Sequence, residues 1–170
     1  MKIFLRFIDL CLLKAGPSDI PASQWLMKVT LAIYFILTVI VNQLDLSWNT
    51  SLLISVVDIL VMIIFVSLVL NLHNLKVRYI QVITALAGSG CVMTIIAFPI
   101  IWWFYQVDPE QQAASFAIII MIALLTWGFI VVAQIFRQAL DVQLGRAMMV
   151  TVAYILISIL ATGLVMSGVA

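Results

Sequence analysis

The sequence predicts an all-α integral membrane protein. It reads as a five-span helical bundle preceded by an N-terminal amphipathic interfacial helix, with the N-terminus inside and the C-terminus outside. Three observations carry that reading. Of the 170 residues, 66% are hydrophobic and only 9% charged, more apolar surface than a small soluble domain can bury. Five windows reach the length of about 20 mostly apolar residues that crosses a hydrocarbon core of roughly 30 Å. Threading them alternately through the bilayer places all eight Lys and Arg residues on one side.

Residues 1–15 form the first element. MKIFLRFIDLCLLK resembles a leader, but Arg6 and Asp9 interrupt its apolar run and no small-x-small cleavage site follows. About ten apolar residues are also too few to cross a bilayer. As a helix, Lys2, Arg6 and Asp9 fall on one stripe, while Phe4, Leu5, Ile8, Cys11 and Leu12 cover the rest. That pattern suits a helix lying on the membrane with its charges toward water. Cys11 reads either as a buried structural thiol or as an acyl acceptor.

Residues 16–170 form a single bundle. The run Gly16-Pro17-Ser18-Asp19-Ile20-Pro21 breaks the chain before the first span, 25–41, and Ser23 suits its N-cap. The second span is 51–70, the third 80–103, the fourth 113–136 and the fifth 147–169. Pro109 fits the start of the fourth helix, and the segment from Arg137 to Arg146 extends that helix beyond the membrane. Pro99 would kink the third span.

Charge orients the bundle. Lys2, Arg6, Lys14 and Lys28 lie before or just inside the first span, Lys76 and Arg78 between the second and third, and Arg137 and Arg146 between the fourth and fifth. The two opposite loops hold only Asp45, Asp108 and Glu110. Cationic loops stay cytoplasmic. Trp48, Trp102, Trp103 and Tyr105 then line the outer interface, and Trp25 and Tyr79 the inner one.

Asp58 is the only acidic residue inside a span, about two turns below the outer end, with Ser51 and Ser55 before it at helical spacing. Insertion scales charge roughly 2.5–3.5 kcal/mol for such a group, so it marks a site by default. Two readings compete: a proton or cation site or subunit anchor, and a carboxyl satisfied by Ser or Thr on a neighbouring helix. Thr84, Gly88 and Cys91 in the third span, and Ser158, Thr162 and Gly163 in the fifth, form small-residue faces that allow helices to approach closely. His73, Lys76, Arg78, Arg137 and Arg146 could contact lipid headgroups or a cytosolic partner, and Arg137 could pair with Asp141 at i,i+4.

No catalytic triad, carboxylate pair or glycine-rich phosphate loop is present, so no enzyme is expected. With two cysteines and one histidine, no cofactor or metal is expected either. Cys11 and Cys91 are expected at different membrane depths and unbridged. A net charge of +1 leaves no basic surface for nucleic acid.

The stretch Trp127 to Tyr154, WGFIVVAQIFRQALDVQLGRAMMVTVAY, together with the five spans and their orientation, resembles the last two spans of the Yip-type family in its bacterial form. There a helix ends in a basic segment, followed by a polar turn and a small residue leading into the final span. The matching positions here are Arg137, Gly145, Arg146 and Ala147. The tyrosine–glycine signature of eukaryotic members is absent. For bacterial members the resemblance implies membrane organisation or partner binding, with no catalytic residue to carry over.

The leading expectation is a non-catalytic accessory or scaffold protein packing against other membrane subunits or a second copy. The alternative is a small oligomeric ion or proton transporter or channel using Asp58. Short loops and the lack of a cleavable leader point to the bacterial inner membrane.

Overall fold

The computed structural model describes residues 2–106 and 112–169. In chain order these form α1 (Lys2–Cys11), a 3-10 turn (Pro17–Asp19), α2 (Gln24–Asn42), α3 (Trp48–Leu72), a second 3-10 turn (Lys76–Arg78), α4 (Tyr79–Gln106), α5 (Gln112–Leu140) and α6 (Leu144–Val169). No strand occurs among the described residues. Helices α2 to α6 are each long and apolar enough to cross a membrane. The helix start expected at Pro109 lies outside the described residues. The segment after Arg137 stays helical only to Leu140, and α6 begins at Leu144.

Local chemistry sets the helix ends. Ser23 caps α2 by accepting from the Leu26 amide, and Ser47 caps α3 by accepting from Thr50. Three helices, α1, α3 and α5, close with the same device. Each places one residue in the left-handed region: Leu13 (φ 61°), Asn74 (φ 56°) and Asp141 (φ 53°). The next amide then bonds back across six residues, Lys14 to Asp9, Leu75 to Leu70 and Val142 to Arg137. Asn and Asp tolerate that conformation, whereas Leu13 costs roughly 1–2 kcal/mol there.

Helix α4 is the axis of the bundle, packing against α1, α2, α3 and α5, while α6 packs on α3 and α5. The run Val82 to Ser89 is buried without a break, because small residues let three neighbours close in on it. The Phe7 ring occupies the space a Cβ on Gly88 would need. The Tyr34 ring does the same at Gly90, its Cε2 lying 2.6 Å from where that Cβ would sit.

Lys76, Arg78, Arg137 and Arg146 lie where α3 meets α4 and α5 meets α6, at one end of the bundle, here called the basic end. There Arg78 Nη1 donates to the carbonyls of Gln138 and Ala139 at 3.1 Å, and Gln81 Nε2 donates to the Ile20 carbonyl at 3.0 Å. The opposite end is called distal. The contiguous core joins α1, Ala15 and Ile20 on either side of the first 3-10 turn, Leu26 of α2, Met62 to Leu70 of α3, Val82 to Val92 of α4, Val131 to Leu140 of α5 and Ala147 of α6.

Two expectations need correction here. Helix α1 ends at Cys11, short of residue 15, and part of its apolar side packs on the bundle rather than facing outward. It docks through Phe7, Leu10 and Cys11, spaced i, i+3, i+4, while Phe4, Leu5 and Leu12 are exposed. Cys11 and Cys91 are free, as expected, but they are not far apart in depth. Cys11 Sγ donates to the Ser89 carbonyl at 3.8 Å and Cys91 Sγ to the Thr30 carbonyl at 3.9 Å. Cys11 meets α4 at Ser89, two residues before Cys91, whose own thiol points to α2. Cys11 is 1% exposed, and burial pushes its thiol up to about 11, which matches the buried reading of this residue.

Candidate functional site

Because α3 begins at Trp48, Asp58 lies about 15 Å along the helix from the distal end, deeper than the two turns expected. Its carboxylate joins three helices. Tyr34 Oη on α2 donates to Oδ2 at 2.8 Å, and Ser158 Oγ on α6 donates to Oδ1 at 3.1 Å. The expectation of a Ser or Thr partner on a neighbouring helix is met by Ser158. Tyr34 was not foreseen. Hydroxyl-to-carboxylate bonds are stronger than neutral pairs, especially away from water.

Ser51 and Ser55 are fully buried and do not bond to Asp58. Ser51 Oγ donates to the Ser47 carbonyl at 2.9 Å, and Ser55 Oγ to the Ser51 carbonyl at 2.8 Å. Ser55 Oγ also accepts from Asn42 Nδ2 at 3.2 Å, tying the end of α2 to α3. The stripe therefore satisfies itself along α3.

Two cavities lie on either side of the Tyr34–Asp58 pair. A cleft of about 210 Å³ is bordered by Thr38, Asn42, Ser55, Asp58, Thr94 and Thr162, with Val41 and Ile54. A mainly apolar cavity of about 380 Å³ lies between α4, α5 and α6, bordered by Tyr34, Met62, Gly90, Met93, Gly128 and Tyr154 among others. Thr94 borders both, and the Tyr34–Asp58 bond stands between them. Toward the basic end, Phe65, Phe136 and Tyr154 pack with ring centroids 5.4–6.1 Å apart.

The other singled-out residues separate by role. Thr84 is buried and donates to the Ile80 carbonyl. Gly88 packs on α1 and Cys91 on α2. Ser158 belongs to the Asp58 site, and Thr162 donates to the Ser158 carbonyl at 2.8 Å while bordering the cleft. Gly163 has nothing within 4 Å of where a Cβ would sit, so it packs on no helix of this chain.

Of the basic-end residues, His73 Nδ1 bonds the Val69 carbonyl at 3.0 Å, a helix-end role. Arg78 is committed to the last carbonyls of α5, where a cation also complements the helix dipole. Lys76, Arg137 and Arg146 are exposed. The i,i+4 pair of Arg137 with Asp141 loses its helical geometry, since α5 stops at Leu140 and Asp141 turns left-handed. Among the described residues, no group of three or more His, Cys, Asp or Glu side chains comes together to hold a metal ion.

Compared with known proteins, the chain matches no family model, no curated protein and no solved structure.

Proposed function

We propose that this chain is a non-catalytic accessory or scaffold protein of a membrane, docking on another membrane subunit or a second copy of itself. The observation that carries this is the uncovered face of α6. Gly163 faces open space and Ser167 is exposed one turn on, the small-residue spacing at which membrane helices approach each other closely. Support comes also from Asp58, whose two oxygens brace α3 to α2 and α6. The similarity of Trp127 to Tyr154 to the Yip-type family points the same way.

In this reading the basic end faces the cytoplasm of a bacterial inner membrane. The exposed apolar side chains of Phe4 and Leu5 on α1 and of Leu12 just after it dip into that leaflet beside the bundle. Purification in a mild detergent should recover the protein in a complex larger than the 18.9 kDa chain. Gly163→Ile should shrink that complex while leaving the fold intact. A lone monomer in native membranes would refute the proposal.

A second reading, ion or proton movement through Asp58, is favoured by the polar cleft beside it. It predicts flux in liposomes that Asp58→Asn abolishes. The aromatic packing of Phe65, Phe136 and Tyr154 between that cleft and the basic end argues against an open through-path.

A further inference from the structure

We infer that the cleft at Asp58 is a binding site for a small monovalent cation, entered from the distal end and closed at its inner end by Tyr34. This goes beyond the scaffold role and does not depend on which partner the protein docks.

The donor set points to the ligand class. Asp58 is the one formally charged residue bordering the cleft, and Thr38, Asn42, Ser55, Thr94 and Thr162, on four different helices, are the neutral oxygen-bearing residues around it. Calcium sites ordinarily combine several carboxylates among six to eight oxygens, and magnesium demands a tight octahedron. A single carboxylate among hydroxyls and an amide suits an ion of one charge, since a larger charge would stay uncompensated in a low-dielectric setting. Liquid water occupies about 30 Å³ per molecule. The cleft of about 210 Å³ therefore holds a cation with part of its hydration shell.

Access and charge agree with that assignment. Asn42 is the last residue of α2, so the cleft reaches the distal end through it. Among the described residues no Lys or Arg borders the cleft, and Asp45 sits in the turn just after α2, a field that favours cations. On the inner side, Tyr34 fills the notch left by Gly90 and donates to Asp58.

The test uses the full chain, purified in detergent, with thermal unfolding followed in NaCl, KCl and choline chloride at equal ionic strength. NaCl or KCl should raise Tm by several degrees over choline, saturating with concentration as a single-site ligand does. Asp58→Asn, which keeps the shape and can still accept from Tyr34, should lose that rise. Thr94→Val and Thr162→Val remove cleft oxygens without touching the carboxylate's own bonds. They should weaken the response, shifting the concentration for half-effect upward, and they stand in if Asp58→Asn does not fold. Equal Tm in all three salts would overturn the proposal, as would a response left unchanged by Asp58→Asn or by both threonine variants.

Discussion

The two halves of this bundle are built by different means. At the basic end, helices interlock inside the protein: Phe65, Val66, Val82 to Leu86, Phe136 and Ala147 are buried. Arg78 and the three left-handed closures satisfy helix-end carbonyls there. At the distal end few large apolar side chains are buried; Ile36, Ile40, Ile95, Ile119, Ile122, Leu160 and Leu164 face outward, as Leu68, Leu72 and Met149 do nearer the basic end. Half of the apolar window of α4 is buried within the chain, against 6% of that of α6. Gln43 Nε2, at the distal end of α2, is buried with no partner among the described residues. A membrane explains the contrast. Lipid covers the distal half at little cost, whereas the basic end must hold its own polar backbone ends in place.

The largest effect should come from the interlocked half. Phe136→Ala should destabilise the fold by about 3–5 kcal/mol, as for other large-to-small core changes, whereas Leu160→Ala should fall within about 0.5 kcal/mol of wild type. Reversible unfolding in mixed micelles measures both. Equal costs at the two positions would break the contrast.

Next in size is the seat of α1. Gly88→Val forces a methyl pair into the space held by the Phe7 ring and should cost about 1–3 kcal/mol. Its distinctive sign is release of α1, read as faster maleimide labelling of Cys11. Gly128→Val, which meets nothing within 4 Å, is the control and should leave Cys11 protected.

Smaller again is the brace at mid-bundle. Tyr34→Phe removes one donor to Asp58 and should cost about 1 kcal/mol, the usual net worth of a hydrogen bond. Ser158→Ala should cost a similar amount. A double mutant that costs less than the sum would show the two bonds acting as one unit.

The mildest prediction concerns pH. The Cys11 thiol sits at about 11 in the fold against 9.0 when unperturbed. The folded chain therefore holds a proton that the unfolded chain loses above pH 9. This contribution to stability is complete below pH 9 and fades as pH rises through about 11. Labelling of Cys11 should stay slow over the same window. Cys11→Ala should flatten that part of the stability profile.

How much of this was legible beforehand follows from which forces are local. The five spans could be read because hydropathy over twenty residues needs no knowledge of neighbours. Asp58 stood out for the same reason, as a lone acid in an apolar run. Its partnership with Tyr34 was hidden, since it depends on the relative depth of α2 and α3, which no spacing within either helix encodes. A phenol in the middle of a span was the available signal. Gly88 was identified as a packing residue, but its partner proved to be Phe7 of α1 rather than another span. Charge at the surface misled in one respect. Arg78 looked free for a partner, yet it caps α5, an end sixty residues further along. Leu13 gave no hint of its left-handed turn, because leucine ordinarily avoids that conformation.

The central claim is that the interlocked basic end and the lipid-covered distal end lie on opposite faces of one membrane. Val77, 92% exposed in the turn between α3 and α4, and Asn49, exposed at the start of α3, report on the two faces, and both native thiols are buried. With Val77→Cys and Asn49→Cys made separately, a membrane-impermeant maleimide applied to intact cells should label the thiol at 49 and reach the one at 77 only after permeabilisation. Labelling at 77 in intact cells, or equal labelling at both positions, would contradict the account.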